Sequence, residues 1–336
     1  MTGLNHQFRL SARPAGIPGH ADWTLTREPI PQPESGEILV KILYVSIDPA
    51  MRGWMNEGRS YIPPVGIGEV MRAGVIGKVL DSRNPAFAIG DLVSGMLGVQ
   101  EYARSNGSGL VKVDPVVASL PVHLGALGMT GMTAYFGLLD IGRPEPGQTV
   151  VVSAAAGAVG SVAGQIAKIR GCRAVGIAGG SEKCRYIVDE LGFDAAVDYK
   201  HEDVRTALRR HCPDGVDVYF DNVGGDILDA ALASLARNAR VVLCGAISQY
   251  NSTTGINGPS NYLSLLVNRG SMRGFLVFDY AARYPEAMRA LSGWLAEGKL
   301  KSKEEIVEGL DKFPDALMKL FSGDHRGKLV LKVAGD

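Results

Sequence analysis

A glycine-rich turn between a strand and a helix is the strongest chemical signal in this sequence. In the segment TVVVSAAAGAVGSVAGQIAKIRG, Ala155, Gly157 and Gly160 take the three positions of the pattern G-x-G-x-x-G, with alanine replacing the first glycine. Small residues let the backbone approach a pyrophosphate, and the helix that begins near Ala158 and Val159 offers it unpaired N–H groups. The context of strand, turn and helix predicts a dinucleotide site. A turn that serves packing alone is the alternative.

The end of the next strand bears on which dinucleotide binds. An NAD site has an Asp or Glu about 20 residues further on, which bonds the ribose 2′-hydroxyl. Here the strand Arg173–Ala178 ends in Gly179, Gly180 and Ser181, with no acid at its tip. Lys183 follows and is placed to pair with a 2′-phosphate, with a hydrogen bond from Ser181 beside it. The alternative is a solvated lysine that opposes the dipole of its helix. The missing acid favours NADP(H).

The pattern of apolar residues differs between two parts of the chain, and each pattern predicts the elements that would position these residues. After Pro121, apolar runs alternate with helical patterns, which predicts βαβ units on a parallel sheet. Helices are expected at Val159–Arg170, ended by Gly171, and at Glu182–Leu191 before Gly192. Six strands, the count of a doubly wound dinucleotide fold, are expected at Thr149–Ser153, Arg173–Ala178, Ala195–Asp198, Val216–Asp221, Arg240–Gly245 and Met272–Val277.

The first part of the chain has short strands separated by Gly, Pro, Asn and Asp, which predicts an antiparallel or barrel-like β domain. Near the C-terminus a helix is expected at Asp315–Phe321 and a strand at Lys328–Val333. Because one strand cannot stand alone, the last strand is expected to return to the first domain. The early strands are expected at Ile38–Ile47, Gly74–Leu80, Leu92–Met96 and Gln100–Ala103.

Composition excludes several classes of protein. Lys plus Arg is 35 and Asp plus Glu is 35, so the net charge of zero argues against nucleic acid or an anionic membrane as a partner. The four cysteines form no metal-ligand spacing, so neither zinc nor a disulfide framework is expected. The uncharged stretches Pro115–Leu139 and Pro146–Ala167 contain repeated Gly with polar residues, which indicates buried structure rather than membrane spans. The N-terminus lacks a signal peptide, which makes the cytoplasm the expected compartment.

Several motifs in the right order resemble one known family over nearly the whole chain. The runs FAIGDLVSG, GALGMTGMTAYFGL, AAAGAVGSVAGQIAK, DNVGG and CGAISQYN resemble the zinc-free branch of the medium-chain dehydrogenase/reductase superfamily. The nearest resemblance is to the leukotriene hydroxydehydrogenase and prostaglandin reductase group, which includes alkenal double-bond reductases. It implies a GroES-like β-barrel catalytic domain at residues 1–124 and 302–336, and a Rossmann domain that binds NADP at 125–301. It also implies a homodimer that pairs the edge segment Ser271–Phe278.

The resemblance assigns cofactor contacts residue by residue. Near the nicotinamide and its ribose it implies Met129, Thr133 and Asn222, and it places Phe275 and Val277 in the strand whose backbone meets the carboxamide. The other implied cofactor contacts are Lys183 and Tyr199 at the 2′-phosphate, Ser248, Tyr250 and Asn251 along the phosphates, and Ala155, Gly157, Ala158, Val159, Gly160, Gly180 and Ser181 in the turns. Two positions depart from the family: Ala50, where many relatives have Tyr, and His325, a candidate cofactor contact where relatives often have Asn beside the nicotinamide.

The activity that the resemblance implies is reduction by NADPH of the carbon–carbon double bond in α,β-unsaturated aldehydes or ketones. Hydride addition at the β-carbon leaves negative charge on the carbonyl oxygen, so the site needs hydrogen-bond donors there. Tyrosine, protonated at neutral pH with an ordinary pKa of about 10, suits this role. Tyr61 and Tyr262 are the candidates. Quinone reduction and a non-catalytic NADPH-binding protein remain open alternatives.

Overall fold

The computed structural model describes residues 3–334, and the chain divides into two compact units. The first contains the chain up to Leu124 and again from Glu304, and the second spans Gly125–Lys303. The second of the two boundaries was predicted between residues 301 and 302, which is two residues before the observed one. The polypeptide therefore leaves the first unit once and returns to it for its last strands.

The strands are β1 (Leu4–Leu10), β2 (Trp23–Pro29), β3 (Ile38–Ser46), β4 (Gly74–Ser82), β5 (Leu92–Met96), β6 (Tyr102–Ser105), β7 (Val111–Lys112), β8 (Thr149–Ser153), β9 (Arg173–Ala178), β10 (Ala195–Asp198), β11 (Val216–Asp221), β12 (Leu235–Leu243), β13 (Ser271–Gly274), β14 (Glu304–Glu308) and β15 (Lys328–Lys332). The helices are α1 (Ala50–Trp54), α2 (Met129–Phe136), α3 (Ala158–Ile169), α4 (Ser181–Arg185), α5 (Val204–His211), α6 (Gly225–Leu232), α7 (Leu263–Asn268), α8 (Tyr284–Ala296) and α9 (Phe313–Ser322). Among residues 3–334, no helix combines the length and apolar content needed to cross a bilayer.

The second unit is built on a six-stranded parallel sheet in the order β10-β9-β8-β11-β12-β13. This is the strand order of a doubly wound dinucleotide fold, so the predicted parallel sheet is confirmed. The central strand β8 is apolar because helices cover both faces of such a sheet, and Val150, Val151 and Val152 are fully buried. All six carboxyl ends meet at one edge of the sheet.

Helix α3 packs closely on this sheet because it carries glycine at the point of contact. A Cβ atom at Gly164 would lie 1.8 Å from the ring of Phe193, so no larger residue fits there. The helix ends one residue before the predicted limit, and Gly171 follows with φ 76°, a left-handed conformation that favours glycine. The predicted helix and its glycine stop are therefore confirmed.

Three elements of this unit differ from the prediction. Strand β12 begins at Leu235 rather than at Arg240, because Leu235 already pairs with Val216. A polar, irregular stretch follows Leu235, so the apolar pattern that predicts a strand starts only at Arg240. Strand β13 ends at Gly274 instead of Val277, since Phe275 turns away to pack against Gly137. The helix expected at Glu182–Leu191 is α4 followed by a π-helical turn at Tyr186–Glu190.

The first unit is a largely antiparallel sheet in the order β14-β15-β3-β4-β5-β7, with β6 also paired to β3. Strand β15 pairs antiparallel with β3, so the predicted return of the C-terminal strand is confirmed. Strand β6 begins two residues later than predicted, because Gln100 forms only an isolated bridge to Gln7. Strands β1 and β2, which were not predicted, form a separate antiparallel pair.

A buried ion pair fixes the start of helix α1 to strand β15. Lys328 is 2% exposed, and its ammonium group lies 2.7 Å from the carbonyl oxygen of Ile47 and 2.7 Å from a carboxylate oxygen of Asp48. Ser46 donates a hydrogen bond to the other carboxylate oxygen of Asp48. Because both charges are partnered, burial of the lysine is tolerated. Ala50 follows Asp48 by two residues and packs, partly buried, against the core of this unit.

Candidate active site

The turn between β8 and α3 has the geometry that an anion site requires. Ala154 has φ 49°, and its carbonyl oxygen accepts a hydrogen bond of 2.9 Å from the N–H of Gly157. A Cβ atom at Gly160 would lie 2.3 Å from that same oxygen, so glycine is obligatory there. No side chain caps the first turn of α3, which starts at Ala158 and Val159. The N–H groups at the start of α3 are therefore not capped by a side chain and are available to an anion.

The alanine that replaces the first glycine of the pattern is used for packing. Ala155 is fully buried, and its Cβ would lie 2.8 Å from a Cβ placed at Gly176 in the neighbouring strand β9. The Ala155 side chain therefore fills the space between the turn and strand β9, while Gly157 and Gly160 keep the turn close to the helix. This arrangement fits a pyrophosphate, as the sequence predicts.

The turn after β9 is shaped by two residues from the end of β10. The N–H of Gly180, which has φ 93°, donates a hydrogen bond of 2.7 Å to a carboxylate oxygen of Asp198. A Cβ atom at Gly179 would lie 2.9 Å from the ring of Tyr199. Tyr199 is a predicted cofactor contact, whereas no sequence pattern indicates Asp198, because the two strand ends are 20 residues apart in the sequence and adjacent only in the fold.

This turn also presents the residues that bear on the choice of nucleotide. Ser181, at the start of α4, is exposed, and Lys183, two residues later, is half-buried. Neither Gly179 nor Gly180 carries a carboxylate, so strand β9 ends without the acid that bonds a ribose 2′-hydroxyl in NAD sites. The chemistry of this turn fits a 2′-phosphate better than a 2′-hydroxyl.

A buried polar cluster joins the carboxyl ends of β8 and β11. Ser153 donates a hydrogen bond of 2.9 Å to Asp221, and it accepts one of 2.8 Å from the N–H of Asn222. The Asn222 amide in turn donates to the carbonyl oxygen of Ser153 at 2.7 Å. Burial raises the pKa of Asp221, and hydrogen bonds from the N–H groups of Gly224 and Val223 oppose that shift. The cluster fixes the orientation of Asn222, a predicted nicotinamide contact.

Replacing Asp221 with Ala is expected to lower the free energy of unfolding by about 3 kcal/mol, the upper end of the cost of one buried unsatisfied group. The expected loss is large because one oxygen of Asp221 accepts from Ser153, Tyr219, Val223 and Gly224. Urea denaturation measures it. Asp226→Ala, at an exposed position in the first turn of α6, is the matched control and should change stability by only a few tenths of a kcal/mol. Equal losses in the two variants would contradict the assigned role.

The loop after β12 brings its own polar residues to the same edge of the sheet. Ser248 donates a hydrogen bond of 2.6 Å to the carbonyl oxygen of Val223, just beyond β11. The hydroxyl of Tyr250 accepts one of 3.2 Å from the N–H of Ala246. Asn251 follows in the same loop, where it is half-buried. Of these three predicted phosphate contacts, Ser248 therefore lies beside the carboxyl end of β11, and Tyr250 and Asn251 follow it in the same loop.

Helix α2 carries the residues predicted to lie beside the nicotinamide. Met129 is 41% exposed at the start of the helix, and its carbonyl oxygen accepts a hydrogen bond of 2.7 Å from the Thr133 hydroxyl. A Cβ atom at Gly131 would lie 1.8 Å from the carbonyl oxygen of Ala126, which explains the glycine in the segment GMTGMTAY. The side chains of Met129 and Thr133 thus occupy consecutive turns of one helix.

Phe275 and Val277 follow the carboxyl end of β13, at the same edge of the sheet. A Cβ atom at Gly137 would lie 2.5 Å from the Phe275 ring, so only glycine at this position leaves room for the ring. Val277 begins a 3-10 turn that leads to α8, and its carbonyl oxygen accepts a hydrogen bond of 3.0 Å from Tyr284. No sequence pattern indicates Tyr284 as a residue of the site.

The two tyrosines proposed as donors belong to different units of the chain. Tyr61 lies in the loop between α1 and β4 of the first unit, is 50% exposed, and accepts a hydrogen bond of 3.0 Å from the Trp54 indole. Tyr262 lies in the second unit, is 59% exposed and immediately precedes α7. His325 lies half-buried in the loop between α9 and β15 of the first unit. Within residues 3–334, no group of three or more His, Cys, Asp or Glu side chains could hold a metal ion.

Comparison with known proteins decides the family. A model described as the N-terminal domain of oxidoreductase matches residues 6–113, and one described as zinc-binding dehydrogenase matches residues 158–293. An NADPH-dependent curcumin reductase of Escherichia coli is 42% identical over 99% of this chain and 98% of its own length. The chain belongs to the zinc-free branch of the medium-chain dehydrogenase/reductase superfamily.

Other members of the superfamily agree with this placement. A 2-alkenal reductase (NADP(+)-dependent) of Nicotiana tabacum is 42% identical over 98% of each chain. The crystal structure of CurA from Vibrio vulnificus in complex with NADPH has a TM-score of 0.94 and 44% identity, and it covers 98% of this chain and all of its own. The expected family and its two-domain fold are thereby confirmed. The zinc-binding description of the second model matches no metal cluster in the described residues.

Proposed function

We propose that this protein reduces the carbon–carbon double bond of α,β-unsaturated aldehydes or ketones with NADPH. The observation that carries the proposal is the edge of the parallel sheet, where the uncapped start of α3 lies one strand away from a turn that has Lys183 and lacks an acid. Its relatives support the choice of reaction, since one is named a 2-alkenal reductase and another a curcumin reductase. Small unsaturated carbonyl compounds are the proposed substrates, and the cytoplasm is the proposed location.

Each unit has a proposed part in the reaction. The second unit would hold the cofactor, with its pyrophosphate at the N-terminus of α3 and its 2′-phosphate beside Lys183 and Tyr199. When bound, NADPH supplies a hydride to the β-carbon of the substrate, which leaves negative charge on the carbonyl oxygen. Tyr61 or Tyr262 would hold a proton at its hydroxyl and donate a hydrogen bond to that oxygen, and a proton derived from solvent would then add to the α-carbon to complete the reduction. The first unit would act as the catalytic domain that contributes Tyr61.

A panel of substrates tests the reaction class. We expect oxidation of NADPH, followed by its absorbance, with a short alkenal and with an enone such as curcumin. Turnover with a quinone alone would support a quinone reductase instead. Tight NADPH binding without turnover on any of the three substrates would support a non-catalytic binding protein.

We further propose that the protein is a homodimer joined at the edge of the parallel sheet. Strand β13 ends that sheet, and an unpaired strand edge tends to associate unless it is covered. Helix α7, which contacts β12 and immediately precedes β13, has no buried residue, and Leu263, Leu266 and Val267 are 57%, 76% and 66% exposed. A second copy related by a twofold axis would cover both the strand and the helix.

Replacing Leu266 with Arg is expected to convert the dimer to a monomer at micromolar concentration, because a charge would be buried in the apolar contact. Sedimentation velocity measures the change. The matched control is Val116→Arg, at an exposed apolar position of the first unit that is 90% exposed, and it should leave the dimer intact. A monomeric wild-type protein at micromolar concentration would remove the dimer proposal.

A further inference from the structure

The hydroxyl group of Tyr284 lies between two segments at the carboxyl edge of the parallel sheet. Its oxygen is 3.0 Å from the carbonyl oxygen of Val277 and 3.7 Å from the Met129 sulfur. Burial raises the pKa of Tyr284, and the nearby charge of Asp279 adds to this shift. The hydroxyl therefore keeps its proton at neutral pH and donates a hydrogen bond to the Val277 carbonyl oxygen. The Met129 sulfur packs beside the hydroxyl.

The two segments reach the cofactor side of the sheet for reasons of topology. Val277 follows the last residue of β13 by three positions, and the carboxyl ends of parallel strands are where doubly wound sheets bind their ligands. Met129 begins α2, and its side chain is 41% exposed although it is apolar. The two segments are far apart in the sequence, and the Tyr284 hydroxyl contacts both of them.

The start of α8 is held firmly, so Tyr284 has a fixed position. Arg283 forms ion pairs with Asp140 and with Glu286. Its guanidinium group also lies 5.1 Å from the ring centre of Phe136 in α2, within the range of a cation–π contact. The Phe136 ring stacks on Tyr280 with a centroid distance of 4.5 Å. This cluster fixes α8 to α2 without involving the hydroxyl of Tyr284.

We propose that Tyr284 is a positioning residue for the nicotinamide, because its hydroxyl fixes the Val277 carbonyl group and the Met129 side chain relative to each other. The proposal rests on the proposed NADPH-dependent function. The turn at α3 and the 2′-phosphate residues lie at the ends of other strands, so they would hold most of the cofactor unaided. Loss of the Tyr284 hydroxyl would therefore affect the placement of the reacting ring more than the affinity for the whole cofactor.

The test is Tyr284→Phe, compared with Tyr135→Phe. Tyr135 lies in the same aromatic cluster, but its hydroxyl donates its hydrogen bond to Glu286, at 3.1 Å, rather than to Val277. We expect Tyr284→Phe to lower kcat roughly tenfold, by misplacement of the reacting groups. The Kd for NADPH should stay within about threefold, as expected when the anchoring contacts remain. Tyr135→Phe should retain wild-type kcat, and thermal unfolding of both variants shows whether they are folded.

A second readout does not depend on turnover. The fluorescence of bound NADPH reports the surroundings of the reduced nicotinamide, so Tyr284→Phe should shift its emission or lifetime while Tyr135→Phe should not. If the wild-type protein binds NADPH but reduces no enone, the proposed function fails and the fluorescence comparison still tests Tyr284. Wild-type kcat and wild-type fluorescence in Tyr284→Phe would overturn the proposal. So would a loss of Tm with kcat unchanged, which would assign Tyr284 a structural role only.

Discussion

Replacing the donor tyrosine with Phe is expected to lower kcat for enone reduction by roughly 10²–10³-fold, the usual cost of losing one donor to a developing oxyanion. The candidates are Tyr61 and Tyr262. The substitution keeps the ring and removes only the hydroxyl, so the affinity for NADPH should change little. Steady-state kinetics with a saturating enone measure the effect in each variant.

The two variants should differ in stability, which provides a check on the structure. Tyr61→Phe leaves the Trp54 indole N–H without its acceptor and should cost about 1 kcal/mol. Tyr262→Phe, at a position that is 59% exposed, should be close to neutral. Tyr102→Phe, in β6 of the first unit, is a control expected to keep wild-type kcat. Near-normal kcat in both Tyr61→Phe and Tyr262→Phe would contradict the assigned donors while leaving the reaction class standing.

Replacing Lys183 with Ala is expected to weaken NADPH binding roughly ten- to hundredfold, because a charged hydrogen bond contributes about 1.5–3 kcal/mol. Binding of NADH, which lacks the 2′-phosphate, should be nearly unchanged. Titration of both cofactors by fluorescence measures the two affinities in the wild type and the variant.

Arg185→Ala is the matched control, since Arg185 is a basic residue of the same short helix and is exposed. It should alter NADPH affinity much less than Lys183→Ala does, because the general attraction of a surface charge is screened by salt. Equal affinity of the wild-type protein for NADPH and NADH would contradict the assignment of the 2′-phosphate site.

Local sequence patterns were sufficient for the centre of the parallel sheet. Strands β8, β9, β10 and β11 have the predicted bounds, because each is a short apolar run between glycine or polar turns. The glycine turn before α3 was also readable, since its strand, turn and helix are consecutive in the chain. These features depend on neighbours in the sequence, which a single sequence contains.

Contacts between distant residues could not be read in this way. Ser153 and Asp221 are 68 residues apart, and their hydrogen bond exists only because β8 and β11 are adjacent in the sheet. Tyr284 and Met129 are separated by 155 residues. Strand β12 was placed too late because its first half is polar and irregular. The polar contacts around the candidate site therefore emerged from the fold, whereas its glycine turns were visible in the sequence.

The positions of isotopic label in the product show which carbon atom of the substrate accepts the hydride. An enone is reduced with NADPH deuterated at the transferred position, and in a separate reaction with unlabelled NADPH in deuterated water. Reduction of the carbon–carbon double bond predicts cofactor deuterium at the β-carbon, solvent deuterium at the α-carbon, and a product that retains its carbonyl group. An allylic alcohol with the cofactor deuterium on the former carbonyl carbon would contradict it.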